Sequence, residues 1–138
     1  MKKNTPLRFF VIENHQDTLD AIKMFLEAQG HSVETASDMK SGLKIAPRTK
    51  FDVLISDIGM PDGDGYELIG KLRARAPRAG GDIPAIALTA YTRDEDRARA
   101  LAAGFQIYMP KPIEPDELVK SIATLTGQAT NVPKGDRV

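Results

Sequence analysis

The sequence contains no cysteine, which excludes disulfide staples, thiolate nucleophiles and cysteine-bound zinc, and suits a reducing compartment. It has no excess of charge of either sign. With 19 lysines and arginines against 19 aspartates and glutamates, nothing in the balance points to nucleic acid or to an anionic membrane surface. Long hydrophobic runs are missing as well. The apolar stretch from Leu7 to Ile12 is interrupted by Arg8 and is too short for a signal-peptide core or a membrane span, so a cytoplasmic protein is expected. His15 and His31 have no partner at metal-ligand spacing and read as surface or loop residues that support no zinc site. There is no internal repeat, and 138 residues are enough for one domain with a real core but too few for two typical ones.

What is present is an alternation of short apolar runs with segments of helical period, the pattern of a parallel α/β sheet covered on both faces. Candidate strands are Phe9 to Ile12, Val33 to Thr35, Val53 to Ile55, Ala85 to Leu88 and Gln106 to Met109. The first, third and fourth read as central because their apolar character is nearly continuous. Leu19, Ile22 and Leu26 define a first helix, with Asp17 as its expected cap and Gly30 as its left-handed terminator. A second helix is expected from about Asp38 to Ala46, stopped by Pro47. A third starts near Tyr66 and buries Leu68, Ile69 and Leu72. The fourth opens on Thr92-Arg-Asp-Glu95, which has capping-box spacing, and ends near Gly104. The fifth carries Leu118, Ile122 and Leu125, with Pro115 in its first turn. Pro77 to Gly81 reads as a surface loop. The expected organisation is one domain over residues 1–126, followed by a flexible tail over 127–138.

In a doubly wound parallel sheet, ligands gather outside the carboxyl ends of the strands. Here the first strand runs into Glu13-Asn14, the third into Ser56-Asp57, the fourth into Thr89-Ala90 and the fifth into Lys111-Pro112. Taken singly, such an aspartate or threonine is usually a cap, and a Lys-Pro is usually a turn. Four polar groups at successive strand ends are not explained that way. The strings Asp57-Ile-Gly-Met-Pro-Asp-Gly-Asp-Gly-Tyr, Ala-Leu-Thr-Ala-Tyr and Met-Pro-Lys-Pro, in this order and spacing, resemble the receiver domains of response regulators in two-component signalling, over Leu7 to about Leu125. The resemblance implies a flavodoxin-like sheet of strand order 2-1-3-4-5.

It also implies a chemistry. Asp57 would accept a phosphoryl group and, with Glu13, Asn14 and the backbone carbonyl of Gly59, hold Mg²⁺, which neutralises the repulsion between two anions. Thr89 would donate its hydroxyl to a phosphoryl oxygen and Lys111 would bring a compact cation to the same group. The partners implied are a sensor histidine kinase or phosphotransfer protein and a downstream protein, with no nucleic acid or membrane, and the chain working as a monomer or weak dimer. The domain would be a signalling switch that catalyses its own phosphorylation and dephosphorylation, not an enzyme on an external substrate.

Several residues set this chain apart within that pattern. Asn14 stands where most receivers carry a metal-binding aspartate, so the site lacks one charge. At ~4 Å a unit charge interacts by about 4 kcal/mol at an effective dielectric of 20, and weaker metal binding is expected. Thr89 and Tyr108 occupy the positions of the family's switch pair. Gly59 and Tyr91 lie where receivers tune access of water to the acyl phosphate, and slow self-dephosphorylation is expected. Two other functions compete: a pseudo-receiver that docks a partner without phosphorylation, motivated by Asn14, and an aspartate-based phosphohydrolase, disfavoured because Gly59 replaces the second acid. Asp62-Gly-Asp64-Gly resembles a calcium loop only superficially, since the closing glutamate is absent.

Overall fold

The structure is a computed structural model and describes residues 6–60, 62–79, 81–90 and 93–127. Five parallel strands form the main sheet: β1 (Arg8–Ile12), β2 (Ser32–Ala36), β3 (Val53–Asp57), β6 (Ala85–Thr89) and β7 (Ile107–Pro110), in the order β2-β1-β3-β6-β7. Counting these five in chain order gives 2-1-3-4-5, the flavodoxin-like arrangement expected. Between β3 and the next helix a two-residue antiparallel pair, β4 (Gly59–Met60) and β5 (Gly63–Asp64), makes a small hairpin. Every residue of β3 and β6 is buried, and so is all of β1 after Arg8. These are the central strands, as their unbroken apolar character requires.

Five helices cover the two faces. One face packs α1 (Gln16–Ala28) and α5 (Pro115–Thr126) through Leu19, Ile22, Leu26, Leu118 and Ile122 against Phe9, Val11, Val53 and Ile86. The other packs α2 (Met39–Ile45), α3 (Gly65–Arg73) and α4 (Asp94–Ala103) over Phe10, Ile12, Leu54 and Ala87. Alternate side chains of each strand point to opposite faces, which is why both faces need an apolar cover. The helix α4 has only Ala100 buried, and half of its ten residues are charged.

The ends of the elements correct several expectations. The cap of α1 is His15 rather than Asp17, because the chain leaving β1 is already helical at Gln16. Asp17 instead lies in the first turn, where a carboxylate complements the helix dipole. Gly30 has φ of +96° and ends α1 as expected. Asp38 caps α2 through its bond from Ser41 N–H at 2.7 Å, and Pro47 sits in a 3₁₀ turn (Ala46–Arg48) appended to that helix. A second 3₁₀ turn (Pro77–Ala79) lies in the expected loop. The helix α4 starts at Asp94 behind Arg93, and Glu95 pairs with the Arg93 guanidinium at 3.2 Å. Thr92 of that expected box, and the tail beyond Gly127, lie outside the described residues. No helix among the described residues is long and apolar enough to cross a membrane.

One feature of α3 bears directly on β3. A Cβ placed on Gly65 would lie 2.7 Å from the Asp57 carbonyl oxygen and 3.0 Å from Ile58 Cα, so only glycine lets α3 begin this close to the strand end. Arg73, at the other end of α3, gathers three backbone carbonyls from two segments, 81–83 and 104–106. Its guanidinium donates to Gly104 O at 2.8 Å and 3.0 Å, to Ile83 O at 2.6 Å, to Gly81 O at 3.2 Å and to the Gln106 side chain at 3.1 Å.

Candidate functional site

The sheet register sets the expected residues beside one another. Ile12 pairs with Ser56, Asp57 with Leu88 and Thr89 with Pro110, so Glu13, Asp57, Thr89 and Lys111 all emerge at the carboxyl rim. Backbone bonds extend the ladders past the strand ends. Glu13 N–H donates to Ala36 O, Ile58 N–H to Leu88 O and Lys111 N–H to Thr89 O, each between 2.9 and 3.0 Å. The loops at the rim are thereby anchored on both sides of the site.

Lys111 joins the two acids. Its Nζ lies 2.9 Å from Glu13 Oε1 and 3.1 Å from Asp57 Oδ1. Glu13 is wholly buried and Asp57 is 5% exposed, so the ammonium compensates charges that water cannot reach. The second oxygen of Glu13 accepts from His15 N–H at 3.0 Å and lies 3.1 Å from the His15 ring Nδ1. Burial alone would raise the Glu13 pKa, but the His15 backbone N–H and Lys111 outweigh it and hold the carboxyl below its ordinary 4.5. Asp57 goes the other way. Burial and the neighbouring Glu13 charge raise its pKa above the ordinary 3.8, with Lys111 opposing them only in part. Lys111 is itself held above 10.5, since its two carboxylate partners overcome the cost of burial.

The remaining expected residues are placed as follows. Thr89 is buried at the end of β6. Asn14 is exposed next to Glu13, and Gly59 is exposed in β4 with its N–H 3.4 Å from Asp57 Oδ1. Tyr108 packs its ring on the α3–α4 side, with its hydroxyl buried and without a hydrogen-bond partner among the described residues. Burial, Asp96 and Tyr66 raise its pKa, against Arg97. Tyr91 lies outside the described residues.

Three residues at the rim were missed in the sequence or given another part. Ser56 is buried and donates its hydroxyl to the Asp57 carbonyl at 3.0 Å. Asp62, expected only in a turn, accepts from Met39 N–H at 2.8 Å and Lys40 N–H at 3.0 Å, tying the loop after Asp57 to the start of α2. These bonds hold its pKa below 3.8. His15 is exposed, as expected, yet its ring is turned back onto the acidic site. His31 is half-buried between α1 and β2, where its Nδ1 accepts from Leu7 N–H at 2.9 Å.

The donor set suits a divalent cation, with two carboxylates for a hard ion and an imidazole nitrogen beside them. Glu13, His15 and Asp57 each offer one ligand atom, all within 4.8 Å of one another. Glu13 Oε1 is met by the Lys111 ammonium at 2.9 Å, so a positive charge already stands where carboxylate oxygens demand one.

Over residues 9–123 the sequence matches the family described as the response regulator receiver domain. It is 40% identical over 122 residues to a 14.6 kDa protein of Leptolyngbya boryana, covering 88% of this chain and 92% of that one. It is 30% identical over 125 residues to the response regulator MprA of Mycolicibacterium vanbaalenii, covering 91% of this chain and 52% of that protein. The chain therefore spans about half the length of that regulator, and about half that of the other curated regulators it matches. Among solved structures it resembles the receiver domain of the sensor histidine kinase PA1611 from Pseudomonas aeruginosa PAO1, determined with a magnesium ion coordinated in its active-site cleft. That likeness has 28% identity and a TM-score of 0.80 over 89% of this chain and 99% of the other.

Proposed function

The chain belongs to the response regulator receiver domain family, and on that premise we propose that Asp57 accepts a phosphoryl group from the phosphohistidine of a sensor kinase or phosphotransfer protein. The observation that carries this reading is the buried Asp57 carboxylate at the rim, paired with Lys111 at 3.1 Å beside the buried Glu13. Glu13, Asp57, the Asn14 amide oxygen and the Gly59 carbonyl would hold Mg²⁺. When bound, this ion supplies the positive charge that lets two anions approach.

Each residue then has a separate task. A carboxylate oxygen of Asp57 forms a bond to phosphorus as the phosphorus–nitrogen bond of the donor breaks, and the leaving imidazole keeps that electron pair and takes up a proton. Lys111 neutralises a phosphoryl oxygen, which requires its ammonium to remain charged; its raised pKa supports this. The Thr89 hydroxyl donates to a second phosphoryl oxygen. The Ser56–Asp57 bond and the close seat of Gly65 fix the strand end from which the nucleophile projects.

Thr89 and Tyr108 form the switch in this reading. The buried hydroxyl of Tyr108 is without a partner among the described residues, so a change in the ring's surroundings costs none of the hydrogen bonds seen there. The altered surface, formed by α4, β7 and α5, binds a downstream protein. Gly59 offers no polar side chain to position an attacking water, which supports slow loss of the phosphoryl group, with Tyr91 as its shield. The domain works in the cytoplasm as a monomer or weak dimer.

Incubation with acetyl phosphate and Mg²⁺, followed by intact-mass measurement, tests the proposal. A single covalent phosphoryl adduct that is lost in Asp57→Ala is expected. Absence of the adduct from the unsubstituted protein refutes phosphoryl acceptance and leaves docking without phosphorylation as the reading to pursue.

A further inference from the structure

The rim holds a nitrogen donor that the oxygen-based account leaves without a task. His15 Nδ1 lies 3.1 Å from Glu13 Oε2, and its ligand atom falls within 4.8 Å of those of both Glu13 and Asp57. The ring is held there by a side-chain hydrogen bond to the same Glu13 oxygen, and by little else. His15 is the cap residue of α1, but its side chain makes no capping bond, and the side chain is 69% exposed, so it is not filling the core. Its own backbone N–H donates to the same Glu13 oxygen at 3.0 Å, which pins the residue, and with it the ring, against the acid.

The geometry is that of a ligand pair. Two neighbouring ligands on an octahedral ion, each at roughly 2.1 Å, are separated by about 3.0 Å, close to the 3.1 Å observed between Nδ1 and Oε2. The site already binds positive charge. Glu13 and Asp57 are buried acids that share the Lys111 ammonium, which lies 2.9 Å from Glu13 Oε1 and 3.1 Å from Asp57 Oδ1. The charge of the site also differs from an all-carboxylate one. Asn14 is neutral, which weakens attraction for a hard ion held mainly by charge, whereas an imidazole nitrogen favours the borderline first-row transition metals.

From this placement we propose that His15 is a metal ligand, and that it shifts the preference of the Glu13–Asp57 site from Mg²⁺ toward a transition-metal dication such as Mn²⁺. The inference rests on the receiver reading for the position of the ion, between Glu13 and Asp57, and adds a residue and a selectivity to it. In the complex the Nδ1 lone pair faces the ion and the ring proton sits on Nε2, toward solvent.

The test compares Mn²⁺ and Mg²⁺ binding by calorimetry in the full chain, in His15→Ala and in His15→Gln, with pulsed EPR of the Mn²⁺ complex as a direct view of the ligand. The ratio of Mn²⁺ to Mg²⁺ affinity is expected to fall about ten-fold or more in both variants, and the ¹⁴N coupling of a bound imidazole to be present in the unsubstituted protein and absent from His15→Ala. An unchanged ratio in His15→Ala overturns the proposal. So does an unchanged ratio in His15→Gln, since glutamine keeps a hydrogen bond to Glu13 without the nitrogen lone pair, and the ring would then only position the acid. Formation of the Asp57 adduct with acetyl phosphate and Mg²⁺, measured on the same preparation, separates failure of this selectivity from failure of the receiver reading.

Discussion

Replacing Asp57 with asparagine is expected to stabilise the metal-free protein near neutral pH. The carboxylate is 5% exposed, and the nearest donor atoms of Glu13 and Asp57 are no more than 4.8 Å apart. At an effective dielectric of 20, two like charges at that distance repel by about 3.5 kcal/mol, while Lys111, 3.1 Å away, attracts by about 5 kcal/mol. Burying a carboxylate costs several kcal/mol more. Repulsion and burial together exceed the attraction, the same balance that raises the Asp57 pKa. Asparagine keeps the shape and removes the charge, for a gain on the order of 2 kcal/mol. The sign of the pH dependence follows from the raised pKa. The protonated acid's contribution to stability is full below the unfolded value of 3.8 and is lost as pH rises through the higher folded value. Asp57→Asn has no such loss, so its advantage should open between about pH 4 and neutrality. Urea denaturation in EDTA across that range measures it. If Asp57→Asn is no more stable than the unsubstituted protein near pH 7, or if the gap is the same at both ends of the range, the electrostatic account of the site is wrong.

Asn14→Asp should restore the missing charge and tighten Mg²⁺ binding; a calorimetric titration giving equal affinities for the two proteins would show that this charge does not matter. Arg73→Ala should cost about 3 kcal/mol by stranding carbonyls that the guanidinium now satisfies. Arg73→Lys should rescue little of it, because an ammonium cannot span Gly104, Ile83 and Gln106 at once; equal denaturation midpoints for the lysine variant and the unsubstituted protein would contradict this. Tyr108→Phe removes a buried hydroxyl without a hydrogen-bond partner among the described residues and should raise stability by about 1 kcal/mol, whereas a loss in thermal unfolding would reveal a partner for it.

The sheet was legible because Phe9 to Ile12, Val53 to Ile55 and Ala85 to Leu88 are apolar without a break, a condition met only by strands covered on both faces. Glu13, Asp57, Thr89 and Lys111 were legible as a set for a related reason, since each directly follows or ends such a run and parallel strands deliver their carboxyl ends to one rim. What escaped was everything that depends on the chain folding back on itself. The turn of His15 onto Glu13 is a two-residue reversal with no periodicity to announce it. Asp62 reaches α2 across 22 to 23 residues, and Arg73 bonds segments up to 33 residues away, pairings that no local pattern encodes. The hairpin of β4 and β5 is too short to alternate, and the seat of Gly65 on Asp57 is a matter of tertiary clearance. Helix starts slipped by a residue or two for the usual reason that polar side chains near a terminus suit several cap positions.

With a single alanine buried among its ten residues, α4 has little apolar area at stake in its present seat. At about 0.8 kcal/mol per buried methylene, sliding it away would forfeit far less than displacing α3, which buries Leu68, Ile69 and Leu72. The molecule thus combines a stiff floor with one loosely moored side. If chemistry at the rim or a partner favoured a displaced α4, a modest bias would suffice to move it while the sheet beneath stayed still.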